Sequence, residues 1–235
     1  MAGFKTHITV STLVGIGYGG TAYALYNVPL PACLLAGGLC SVSGMLPDID
    51  SGPGVPLRES LSFGAAVIST MLVDRFQQFD LSMETIILAG ALVYLAIRFL
   101  LAEVLRRYTV HRGMFHSIPA TIIWGELTFL LTTGDLSIRY YKAGAVMLGY
   151  LTHLILDEIY SFQWYRGRIR LKKSFGTAIK FFGHGWWPNI SAYAKLAILT
   201  VIVLQEPGWT QKYFEEHGGK AIQQTASQVV DRIIR

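Results

Sequence analysis

The chain has 235 residues, 52% hydrophobic and only 15% charged, against about 25% charged in an ordinary soluble domain. With a mean hydropathy of +0.41, it has too little polar surface for a soluble, secreted or disordered protein. The net charge of +5 is no argument for nucleic-acid binding by itself, and no nucleic-acid partner is expected.

In chain order, the first element is an uncharged stretch of 42 residues between Lys5 and Asp48, twice what one spanning helix needs. Asn27, Pro29 and Pro31 supply a turn at its middle, so the stretch reads as two antiparallel helices, about 8–27 and 31–46. One basic residue and no cleavage site argue against a signal peptide. Cys33 and Cys40 read as buried apolar thiols, since this spacing without partners makes neither a zinc pair nor a disulfide framework.

Further apolar segments follow at about 60–74, 85–104, 117–133, 142–160 and 189–205. The first of these is short enough to be re-entrant. Arg98, Glu126 and Lys195 interrupt three others, and an Arg98–Glu126 pair would relieve two charges at membrane depth. Trp186 and Trp187 before the last segment read as an interfacial anchor, with His184 beside them a possible extra ligand. Beyond 205 the composition turns polar, and Ile222, Ala226, Val229, Val230, Ile233 and Ile234 recur at helical spacing. The expected architecture is therefore all-α: a multi-pass transmembrane helical bundle of about six to seven spans over 1–205, then a polar tail with an amphipathic helix over 206–235. With seven spans, eleven Lys and Arg residues fall on the side where the chain begins and seven on the other, which makes the first side cytoplasmic.

That same side collects the polar residues a bilayer disfavours. They are His7 at the start of the first helix, Asp48 and Asp50 after the second, His111 and His116 before the fifth, and His153 and Asp157 near the end of the sixth. His153 and Asp157 are spaced i, i+4 and share a helix face. Asp48 and Asp50 follow Pro47 in an irregular stretch, and Gly113 gives the two histidines around it a tight backbone path. Four histidines and three aspartates form an N,O ligand set of the kind that binds Zn, Mn or Fe(II). Seven ligands exceed one tetrahedral ion, so two divalent ions are the natural count.

Thr6-His7, Leu46-Pro47-Asp48-Ile49-Asp50, His111-Arg112-Gly113 with His116-Ser117, and His153 with Leu156-Asp157 stand in an order that resembles the YdjM-like family of predicted membrane-bound metal-dependent hydrolases. The resemblance covers most of residues 1–161. That family is in turn thought to be distantly similar to zinc-dependent phospholipase C and the P1-type nucleases. The resemblance implies a hydrolase with metal ligands among the residues named. After Asp157 the chain departs from it: Ser161, Phe162, Gln163 and Trp164 stand where relatives often continue with a glycine and a Trp-Pro stretch.

The expected chemistry is hydrolysis of a phosphoester, with a lipid-linked one suited to a site at interface depth, by water that the metal activates. Asp48 or Asp157 would accept the water proton, and Arg112 would grip an anionic substrate group through its planar fork. Arg166, Arg168, Arg170, Lys172, Lys173 and Lys180 accumulate after the sixth helix with no acid among them. They suit anionic lipid headgroups, and Lys172 and Lys173 could also hold a phosphate. Two rivals remain at this stage: a metal-ion transporter using the same cluster as a transport site, and a non-enzymatic membrane regulator with a vestigial site.

Overall fold

The computed structural model describes residues 2–50, 55–101, 103, 114–165, 168–171, 176–183 and 185–206. The expected amphipathic helix of the 206–235 tail, together with His111, Arg112, Lys172, Lys173 and His184, lies outside the described residues, apart from Glu206 at the tail's first position.

Helix α1 spans Phe4–Tyr26 and ends at Asn27, which takes the left-handed conformation at φ 52°. Helix α2, Leu30–Ser43, starts with Pro31 in its first turn, where a missing N–H costs nothing. Pro47 then stops the regular helix, and a 3₁₀ turn covers Leu46–Asp50. Helix α3 (Val55–Met71) gives way to the short α4 (Val73–Gln77), and α5 (Met83–Leu95) runs into a π-helical turn, Ala96–Leu101. Helix α6, Ile118–Leu131, is capped by Ser117, whose hydroxyl accepts from the Ala120 amide. Helix α7, Leu136–Ile159, is the longest among the described residues, and α8 spans Trp186–Gln205.

The basic segment after the sixth expected span contains a small antiparallel hairpin. Strand β1 (Phe162–Tyr165) pairs with β2 (Arg168–Leu171), with Phe162 opposite Leu171 and Tyr165 opposite Arg168. At four residues each, Phe162-Gln163-Trp164-Tyr165 and Arg168-Ile169-Arg170-Leu171 alternate too briefly to stand out as strands in the sequence.

Helices α1 and α2 form a hairpin, and α7 packs across both. Helix α6 packs on α7 and α8 on α6, while α3 packs against α5 and its π turn. The α1–α2–α7 contact is made by small residues. On α1, Ser11, Gly15 and Gly19 recur every four positions and are buried; on α7, Ala145 and Gly149 do the same. A Cβ added at Gly15 would stand 2.5 Å from the Gly37 carbonyl oxygen, and one at Gly149 would collide with the Cys40 carbonyl. Without a hydrophobic drive between helices in lipid, such close backbone approach and polar links hold a bundle together. Ser11 Oγ donates to the Ser41 carbonyl at 2.8 Å, and the Thr12 and Ser41 hydroxyls meet at 2.5 Å.

The outside is apolar. Leu13, Ile16, Leu25, Leu34, Ile87, Leu92, Ile198 and Ile202 are exposed, as a lipid-facing surface requires. Among the described residues, three helical runs are long and apolar enough to cross a membrane: Leu30–Asp48, Met83–Leu100 and Trp186–Gln205. The molecule is thus a helical membrane bundle. Cys33 and Cys40 are buried free thiols, as expected.

The expected Arg98–Glu126 pair is not formed. Arg98 lies in the π turn with its guanidinium 5.6 Å from the Phe99 ring centre, on a helix that packs against α3. Glu126 faces α8 instead, and its Oε1 accepts from the Thr200 hydroxyl at 2.6 Å. Opposite charge in two apolar segments does not make those segments neighbours.

Candidate metal centre

The four-residue stripes that bind the helices together also deliver the site. Extending the α1 stripe of Ser11, Gly15 and Gly19 back by four positions reaches His7. Extending the α7 stripe of Ala145 and Gly149 forward reaches His153 and then Asp157, so all three polar side chains face the helix contact. Asp48 enters from the 3₁₀ turn that ends α2. His116 enters from the turn before α6, where Ser117 Oγ donates to the Met114 carbonyl at 2.5 Å and the Tyr150 hydroxyl donates to the Phe115 carbonyl.

Five of the seven expected ligands therefore meet: His7, Asp48, His116, His153 and Asp157. Asp50 belongs to the same turn by its backbone, while its side chain and the whole of His111 lie outside what the structure describes. His116 Nε2 stands 3.6 Å from Asp48 Oδ1 and 3.9 Å from Asp157 Oδ2; His153 Nε2 stands 3.7 and 3.8 Å from the same two oxygens. His7 Nε2 is 3.3 Å from Asp157 Oδ1, and its ring stacks on His153 at 3.7 Å.

His153 Nδ1 is 2.7 Å from the Gly44 carbonyl, which can only accept, so the ring proton sits on Nδ1 and Nε2 presents a lone pair. That lone pair faces two carboxylate oxygens. His153 Nε2, Asp48 Oδ1 and Asp157 Oδ2 are all buried with no hydrogen-bond partner among the described residues. Buried acceptors facing one another repel unless a positive centre lies between them. Four ligands placed tetrahedrally about 2.1 Å from an ion stand about 3.4 Å apart. The spacings here are slightly wider, too long for hydrogen bonds and suited to a small cation. Two overlapping groups, His7 with Asp48 and His153, and His116 with His153 and Asp157, each bring their ligand atoms within 4.8 Å of one another. The residues present fit a divalent metal, and a backbone carbonyl on the far ring nitrogen is the usual way a ligating histidine is oriented.

The centre is not evenly enclosed. His7, His116, His153 and Asp157 are at most 2% exposed, whereas the Asp48 side chain is 29% exposed and marks the open side. Sequence reasoning missed the backbone groups that aim these ligands, the Gly44 carbonyl and the Ala2 amide, since neither carries a side-chain signal. The four-residue spacing of Ser11, Gly15 and Gly19 was the signal that could have placed α1 against α2.

The other end of the bundle holds a second ionic group with a structural task. Glu206 Oε1 accepts from Arg75 Nη2 at 2.8 Å and Arg139 Nη2 at 3.0 Å. Arg139 also donates to the Phe129 carbonyl and lies 4.0 Å over the Phe129 ring, while Arg75 reaches the Leu130 carbonyl. The two arginines thereby satisfy the open carbonyls at the end of α6 and tie in the end of α8.

A family model described as YdjM inner membrane protein matches residues 1–204. No curated protein and no solved structure matches the chain.

Proposed function

Because the chain belongs to the YdjM inner membrane protein family, we propose that it is a membrane-embedded metal-dependent hydrolase acting on a phosphoester. One observation carries the reading: buried acceptors of Asp48, from the turn after α2, and of His153 and Asp157, one turn apart on α7, face one another with no hydrogen-bond partner among the described residues. His7, Asp48, His116, His153 and Asp157 would hold the metal, with Asp50 and His111 completing a set large enough for two ions. A bound Zn²⁺, Mn²⁺ or Fe²⁺ supplies Lewis acidity and lets water act as a nucleophile near neutral pH.

The protein's own groups divide the remaining work. Asp48, on the open side, is placed to take a proton from incoming water, whereas Asp157 is engaged by Ala2 and His7 and serves to fix the centre. Arg112, in the segment before His116, would hold the anionic group of the substrate, and Lys172 and Lys173 would add positive potential beside it. In this reading the chain crosses the membrane six or seven times with the metal centre at the cytoplasmic face, among membrane lipids and within reach of a lipid-borne phosphoester.

Metal analysis of detergent-purified protein, wild type beside His153→Ala, tests the reading together with hydrolysis of a soluble phosphodiester. Bound metal and metal-dependent turnover, both lost in the variant, support it. Metal uptake into proteoliposomes that is lost in Asp48→Ala, without turnover, would favour a transporter. A biological phenotype left intact by both His116→Ala and Asp157→Ala would favour a regulator without chemistry.

A further inference from the structure

Asp157 is the most constrained group of the centre, and part of the constraint comes from the first residues of the chain. The Ala2 main-chain N–H donates to Asp157 Oδ1 at 3.1 Å, and both residues are buried. The amide is itself held in place. The Gly3 carbonyl accepts from the Thr6 and His7 amides at 2.9 and 3.1 Å, so residues 2 and 3 continue directly into the first turn of α1. The same oxygen, Oδ1, faces His7 Nε2 at 3.3 Å. Oδ2 has no hydrogen-bond partner among the described residues and is turned toward His116 and His153.

The geometry points to the Ala2 backbone amide as a positioning group of the metal centre: it fixes Asp157 through one oxygen so that the other is presented to the cation. This inference rests on the metal-centre reading. A main-chain donor suits the task because its direction is set by the helix that follows, with no rotamer to order. A carboxylate free to rotate about its terminal bond would otherwise share both oxygens between His7 and the histidine pair. Removing such outer contacts from a metal site commonly weakens binding 10- to 100-fold.

The test uses full-length protein in detergent and Zn²⁺ alone, with affinity read by competition against a chromogenic chelator. Ala2→Pro removes the N–H, and Ala2→Gly keeps it. The expected result is a 10- to 100-fold weaker Zn²⁺ affinity in Ala2→Pro, with Ala2→Gly within about twofold of wild type. Wild-type affinity in Ala2→Pro overturns the inference, and so does equal weakening in both variants, which would assign the effect to the methyl group. A wild type that binds no metal would end the metal reading itself, a result distinguishable from either. A second measurement needs no proline: amide exchange at Ala2 in protein labelled with ¹⁵N-alanine. Exchange at least tenfold faster in Asp157→Ala than in wild type supports the hydrogen bond's role, and unchanged exchange overturns it.

Discussion

At the scale of single residues, the glycines of this bundle and its candidate metal ligands belong to one design. Gly149 lies one turn from His153, and a side chain there would run into the Cys40 carbonyl and the Ser43 hydroxyl of α2. Gly149→Leu should therefore separate α7 from α2 and swing His153 away from Asp48. Overpacking of this kind costs about 1–3 kcal/mol, which thermal unfolding of the metal-free protein would register. Metal affinity should fall as well. Gly38→Leu is the control, because Gly38 is exposed and a Cβ there meets nothing within 4 Å. Equal stability and affinity in the two variants would count against a shared role. The ligand residues themselves were legible in the sequence because imidazoles and carboxylates are expensive in apolar segments and so announce a purpose. The Ala2 amide and Gly44 carbonyl were not legible, since every residue has such groups and only the fold chooses which are used.

Among the elements, apolar runs marked the helices well and their ends less well. The apolar pattern starts the sixth segment at about 142, yet α7 begins at Leu136 and carries a buried Arg139 in its second turn. An arginine there reads from sequence as the edge of a span. In the bundle it satisfies the last carbonyls of α6 and shares Glu206 with Arg75. This ionic group predicts a pH dependence. Burial alone would raise the Glu206 carboxyl, but hydrogen bonds and charge from Arg75 and Arg139 outweigh it and hold the group below its ordinary value of 4.5. A carboxyl depressed on folding contributes stability that is complete above that ordinary value and is lost as pH falls through the folded one. Thermal stability of the wild type should thus drop more steeply below about pH 4.5 than that of Glu206→Gln. Parallel curves for the two proteins would remove Glu206 from the account of how α8 is held.

For the whole molecule, the orientation proposed above rests on where the basic loops fall. A cysteine at Asp80, between α4 and α5, and one at Gly176, after the hairpin, should lie on opposite sides. Cys33 and Cys40 are buried and leave little background. A membrane-impermeant thiol reagent applied to intact cells should label Asp80→Cys and spare Gly176→Cys until the cells are opened. The reverse pattern would place the metal centre on the outer face, and labelling of both would break the span count. The exposed Phe181, Phe182, Trp186 and Trp187 near the hairpin suit the headgroup depth at which this end of the bundle would sit.

From its sequence alone this chain is a helical membrane protein with costly polar residues at one end of its helices. Both conclusions depend only on transfer free energies, which are local and additive along a segment. Which residues meet was decided by the tertiary structure, because proximity depends on how closely helices can approach. That approach is set by a few small residues and by backbone groups identical in every sequence. His7, Asp48, His153 and Asp157 meet because Gly15 and Gly149 let three helices touch, His116 joins them from the turn before α6, and Glu126 turns to Thr200 instead of Arg98 because α6 packs on α8.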